Sequence, residues 1–198
     1  MTFNIKGSCV SISFFFFVTV CVALVLDTTD TAVIALCAAA VHEGGHLLCM
    51  LFYGERPSRI FVAPFGFSIT RLGMSSYRRE MIIAFAGPIA NIIAAFIMFV
   101  IVLVCHQSKL IKPIAVNISL ALFNLLPIEP LDCGRAVRCW LMCRMNTLRA
   151  EKTVFIIGVV CLVPIAAMGF FVLIKSGYNI TLLLASIYLS YMLLKRRE

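Results

Sequence analysis

The sequence predicts an all-α membrane protein of six transmembrane helices with a small membrane-associated β-hairpin between the second and third. Three observations carry this. Of the 198 residues, 62% are hydrophobic and only 13% charged, where a soluble domain carries roughly a quarter charged residues. The apolar residues fall in long runs, several near the roughly 20 residues needed to cross a bilayer. The basic residues cluster in alternate connections between those runs.

The six apolar segments are Ser11 to Leu26, Thr31 to Tyr53, Met81 to Cys105, Ile114 to about Ile128, Val154 to Ile174 and Ile180 to Leu194. Lys6 ahead of the first run resembles the start of a signal peptide. No small-x-small cleavage site follows it, so a retained first helix is expected. The fourth segment is short and ends at prolines. No repeat or soluble appendage interrupts the pattern, and residues 1–198 read as one membrane-embedded domain with its core spans in 31–135.

The net charge is +8. No basic tract has interleaved aromatics and no nucleic-acid motif is present, so nucleic acid is not an expected partner. Topology explains the charge. With the N-terminus cytoplasmic and the spans alternating, 14 of the 17 Lys and Arg residues fall inside. Only Lys109, Lys112 and Lys175 fall outside. This is the positive-inside pattern of a multi-pass protein with both termini in the cytoplasm.

Two inner connections are more than loops. Ile60 to Thr70 is rich in β-formers, with Pro64 and Gly66 at the expected turn. Asp132 to Lys152 is amphipathic, contains Trp140, the only tryptophan, and is expected along the interface. The nine cysteines form no CxxC pair. They read as free thiols in lipid or facing a reducing compartment.

Chemistry is concentrated in His42-Glu43-Gly44-Gly45-His46, inside the second segment. Ionisable residues within a span are costly and mark function by default. On a helix, residues four apart share a face, so His42 and His46 can hold one metal ion. Glu43 lies about 100° around, beside the ion's open position. There it can take a proton from a bound water and pass it on, the logic of HExxH zinc hydrolases. The rival reading is a non-enzymatic metal or proton carrier, or a structural subunit, with His and Glu as a buried relay.

A catalytic zinc takes three protein ligands as a rule. His46 is expected about 12 Å below the cytoplasmic surface, so the third ligand must come from that side. Asp27 and Asp30 are expected outside, and Glu55, Glu80, Glu151 and Glu198 sit in basic surface stretches. Glu129 and Asp132 remain, both in Phe123-Asn124-Leu-Leu-Pro127-Ile-Glu129-Pro130-Leu-Asp132-Cys133-Gly134-Arg135. Such a proline-broken segment is tolerated at membrane depth where it lines a cavity. Geometry alone leaves both acids open.

HEGGH in one span and NLLPIEPLDCGR in a later one resemble the site-2 protease family of intramembrane zinc metalloproteases, and the short layout its stage IV sporulation protein FB branch. The third segment's Gly87-Pro88-Ile-Ala-Asn91 resembles a further patch of that family. The resemblance implies one zinc per chain on His42, His46 and Asp132, with Glu43 as general base. It implies a substrate-orienting role for Asn124 and Asn91. It implies a membrane-tethered precursor as substrate, such as a sporulation pro-sigma factor, in a bacterial cell membrane. Membrane inhibitors or regulators are a further class of partner. Where the family often reads Asp-Gly-Gly, this chain has Asp132-Cys133-Gly134, which removes no ligand.

Overall fold

The computed structural model describes residues 2–5, 8–55, 57–63, 66–71, 76–177 and 180–195. Among these residues four strands and seven α-helices follow in order, with a 3-10 turn at Ser108–Leu110: β1 (Thr2–Ile5), β2 (Ser8–Ile12), α1 (Phe14–Leu26), α2 (Thr31–Phe52), β3 (Pro57–Ala63), β4 (Gly66–Arg71), α3 (Tyr77–Cys105), α4 (Ile111–Asn124), α5 (Asp132–Met142), α6 (Thr147–Ser176) and α7 (Thr181–Lys195). They form two compact units, Met1–Ser75 with Ala86–Ala121, and Ser76–Phe85 with Leu122–Glu198.

Among the described residues three helices, α2, α3 and α6, are long and apolar enough to cross a membrane. The apolar helices α1 and α7 are shorter. Along α3, Ile93, Phe96, Ile97 and Leu103 are each more than half exposed. Water would penalise such a surface, whereas hydrocarbon solvates it.

In the first unit the strands form one sheet in the order β1-β2-β3-β4. β1 pairs antiparallel with β2, and β3 antiparallel with β4. β2 and β3 run parallel, with Val10 opposite Ile60 and Ile12 opposite Val62. The all-α expectation for the N-terminal stretch is therefore corrected. Ser8 to Ile12, whose last residues were expected to open the first span, forms a strand, and the helix behind it keeps only 13 residues. Hydropathy cannot distinguish a β-former run that pairs with a strand fifty residues away from the start of a helix. Pro64, at the expected turn between β3 and β4, lies outside the described residues.

α2 starts at a cap supplied from upstream. Asp27 Oδ2 accepts the Ala32 N–H at 2.6 Å, and Asp27 Oδ1 accepts the Thr29 N–H at 2.9 Å. These bonds hold the Asp27 carboxyl below its usual pKa, the Ala32 bond contributing most. Small residues then bring α2 and α3 together. A Cβ on Gly45 would stand 2.6 Å from the Ala86 carbonyl oxygen and 2.7 Å from the Ala90 Cβ. Glycine at 45 is what permits that approach.

The second unit packs around Ile128, Leu131, Leu162, Leu189 and Leu193, with a second cluster at Leu141, Ala150 and Val154. Gly158 of α6 lies against the Leu193 side chain of α7, and Gly169 against the Leu183 backbone. α4 ends at Asn124, before Pro127, and the Glu129–Pro130 peptide is cis. The amphipathic stretch resolves into α5 and the first turns of α6, with Arg144 stacked 4.8 Å from the Trp140 ring centroid.

Candidate metal centre

α2 buries one stripe and exposes the rest. Its buried residues are Ala38, His42, His46 and Met50, each four apart, as one face of a helix requires. His42 is 5% and His46 7% exposed. Burying two imidazoles this far is unfavourable unless their polar atoms converge on a partner.

The two rings converge on one point. Their centroids are 4.9 Å apart, inclined at 80°, and the two Nε2 atoms stand 3.2 Å from each other. Two nitrogens bound to one tetrahedral zinc at about 2.0–2.1 Å would be separated by roughly 3.3 Å. Gly87 of α3 leaves the approach open. A Cβ built there would run into His46 Nε2, and would lie 2.8 Å from His42 Nε2. The sequence marked Gly87 only as part of a patch; its contact with both ligand nitrogens is visible in the fold alone.

Asp132 opens α5, at a helix N-terminus where unpaired backbone N–H groups favour an anion. The segment before it is fixed by packing. Ile128 is fully buried, and a Cβ on Gly134 would lie 2.5 Å from the Glu129 nitrogen and 2.6 Å from the Ile128 carbonyl oxygen. Gly134 is thus required for the first turn of α5 to close on 128–129. Cys133 is half-buried.

One ligand-type atom each from His42, His46 and Asp132 lie within 4.8 Å of one another, and all three residues are buried. Two imidazole nitrogens and a carboxylate oxygen suit a zinc ion. The arrangement passes a simple fit test: convergent buried donors and a glycine where any side chain would fill the space. Glu43, next to His42, is partly exposed. Glu129 is engaged elsewhere, its Oε1 standing 3.7 Å from Arg138 Nε. It lines a cavity of about 580 Å³ with Arg138, Glu151, Lys152 and Phe155.

The two asparagines differ. Asn124 is the last residue of α4 and half-buried. Asn91 is completely buried, and its amide nitrogen bonds the Ala38 carbonyl and Asn117 Oδ1, both at 3.2 Å. Asn117, buried in α4, escaped the sequence reading. A second asparagine in the fourth apolar segment, seven residues before Asn124, was the signal that could have found it.

No family model matches the chain. Against the site-2 protease from Methanocaldococcus jannaschii, the structure aligns over 98% of this chain and 94% of that one, with a TM-score of 0.71 and 21% identity. The fold is that of a site-2 protease. Similar proteins carry related names. Stage IV sporulation protein FB of Bacillus subtilis is 33% identical over 99 residues, 48% of this chain and 34% of that protein. A zinc metalloprotease of Methanocaldococcus jannaschii is 24% identical over 159 residues, 78% of this chain and 45% of that protein. The chain spans less than half the length of these two curated relatives. Within the site-2 protease fold, the histidine pair on a long apolar helix and the aspartate at a helix start are the features that bear on chemistry.

Proposed function

We propose that this chain is an intramembrane zinc metalloprotease that hydrolyses a peptide bond of a membrane-tethered precursor. The observation that carries the proposal is the buried group of His42, His46 and Asp132, with ligand-type atoms within 4.8 Å of one another and Glu43 following His42 in sequence. The zinc metalloprotease and site-2 protease names of its relatives support the same reading.

His42, His46 and Asp132 would hold the ion. When bound, zinc lowers the pKa of a coordinated water toward neutrality and polarises a carbonyl. Glu43 does the proton work: it takes the proton from the attacking water and returns it to the leaving amine nitrogen. Its partial exposure suits that task, because the base must reach both solvent and substrate. Gly87 keeps the histidine nitrogens accessible. A helical substrate hides its carbonyls in its own hydrogen bonds, so a stretch must unwind before attack. The β3–β4 segment offers strand pairing to such a stretch.

Six spans with both termini cytoplasmic complete the proposal, supported by the 14-to-3 distribution of basic residues. The whole of 1–198 then acts as one membrane-embedded catalytic domain. Similarity to stage IV sporulation protein FB supports the narrower reading of a sporulation precursor, such as a pro-sigma factor, in a bacterial cell membrane. The test is co-expression with candidate membrane-tethered precursors. Cleavage by the parent chain and none by Glu43→Gln supports the protease. Equal processing in both, or zinc transport without cleavage, supports the carrier instead.

A further inference from the structure

α2 and α3 meet along a face on which every rung touches the metal site or sits one turn from it. Gly87 lies against His46 and His42, Gly45 lies against Ala86 and Ala90, and Asn91 reaches Ala38. Gly87 and Asn91 are four apart, as are His46, His42 and Ala38, so each set shares a helix face. Asn91 is one helical turn from the glycine at the ligand nitrogens, and Ala38 is one turn from the first ligand.

The polarity of the contact is forced. The Ala38 carbonyl can only accept, so the Asn91 amide must present nitrogen to it. The same nitrogen group donates its second hydrogen to Asn117 Oδ1, and Asn117 Nδ2 donates to the Pro113 carbonyl at 2.9 Å. Pro113 O, Asn117, Asn91 and Ala38 O therefore form one connected network across α4, α3 and α2, with Asn91 donating to both sides. In the α2 ladder the Ala38 carbonyl also receives the His42 N–H. Asn91 consequently grips the peptide group from which the ligand-bearing turn hangs. Asn91 is 0% and Asn117 5% exposed. In an apolar surrounding, neither amide has water to fall back on.

We propose that Asn91, seconded by Asn117, is a positioning residue of the metal centre: it fixes the rotation of α2 that brings His42 and His46 Nε2 to one point, and it does not contact substrate. This rests on the metal-site reading given above. Partners that orient metal ligands from outside the coordination sphere typically change metal affinity 10–100-fold when removed.

The test uses the full chain purified in detergent micelles, with Asn91→Ala, Asn117→Ala and, as a control for loss of a buried polar group, Ser186→Ala of α7. Zinc dissociation constants are measured by chelator competition, and the visible ligand-field spectrum is recorded after cobalt(II) substitution. The expected result is a zinc Kd raised about 10–100-fold in Asn91→Ala, with altered cobalt bands. Asn117→Ala should show a smaller rise and Ser186→Ala none. Spin labels at the exposed Leu48 and Phe96 report the α2–α3 spacing without any metal, and that distribution should broaden in Asn91→Ala. Zinc affinity within twofold of the parent, with unchanged cobalt bands and unchanged label distances, overturns the proposal. If Asn91→Ala does not fold, Asn91→Ser and Asn117→Ala are held to the same criteria. A parent chain that takes up no zinc contradicts the metal reading itself, and the label distances then decide the clamp alone.

Discussion

His42 Nε2 and His46 Nε2 stand 3.2 Å apart on the buried stripe of α2, with Gly87 of α3 against both. At that distance one ring nitrogen can donate to the other, depending on tautomer, and both can instead turn their lone pairs on a shared cation. A shared zinc ion is the reading proposed above for the spacing, the burial and the room that Gly87 leaves.

Glu43→Gln should keep the fold and bound zinc while lowering cleavage by about 10²–10⁴-fold, the usual contribution of a general base. The amide is nearly isosteric and cannot take the water's proton. Turnover of a membrane-tethered precursor by purified protein, with zinc measured on the same samples, checks this. Cleavage above a tenth of the parent rate removes Glu43 as the base.

The three glycines about the site should respond differently to alanine. Gly44 has nothing within 4 Å of an added Cβ, so Gly44→Ala should leave stability unchanged or raised by up to about 1 kcal/mol through helix propensity. Gly45→Ala should destabilise, because its Cβ meets the Ala86 carbonyl oxygen at 2.6 Å. Gly87→Ala should lose zinc even where the protein folds, because its methyl group occupies the approach to both ligand nitrogens. Thermal unfolding and zinc content of the three variants, side by side, separate these effects.

The histidine pair was legible in the sequence because an i, i+4 spacing is a property of the helix alone. Span two was read as Thr31 to Tyr53 and is Thr31–Phe52. Span five was read from Val154, but α6 begins at Thr147. Hydropathy marks where lipid begins; the polar turn with Arg149, Glu151 and Lys152 is helical outside that boundary. The β2–β3 pairing, the Gly45 and Gly87 approaches and the Asn91–Asn117 bond were not legible. Each joins residues that only the tertiary fold makes neighbours, and no local period announces them.

Thiol chemistry should distinguish Cys139 of α5 from Cys143, the residue that caps that helix one turn on. Cys139 is buried and its Sγ stands 3.4 Å from Glu80 Oε2. Burial, and then the Glu80 charge, push its thiol up to about 11. Cys143 is exposed. At pH 8, Cys143 should react readily with a maleimide and Cys139 only on unfolding. Because the folded-state value lies above that of an ordinary thiol, the thiol's contribution to stability holds below pH 9 and declines as pH rises toward 11. Equal labelling rates in the native protein would contradict the contact.

Acid should loosen the start of α2. Asp27 has a folded pKa below the 3.8 of an unperturbed aspartate, so its contribution is present above that pH. It is lost as pH falls through the depressed value. Asp27→Asn should flatten the acid limb of the stability profile below about pH 4, with little change at pH 7 beyond loss of the cap. An unaltered acid limb would show that the carboxylate does not hold Ala32 and Thr29.

Zinc per chain in the purified parent, Asp132→Ala and Glu129→Ala proteins tests the central claim most directly. Asp132 belongs to the buried group with His42 and His46, whereas Glu129 faces Arg138 at 3.7 Å. The account predicts one zinc per parent chain, near-stoichiometric zinc in Glu129→Ala, and zinc sharply reduced in Asp132→Ala. A parent chain without zinc, or a Glu129→Ala protein that loses the metal while Asp132→Ala keeps it, would contradict it.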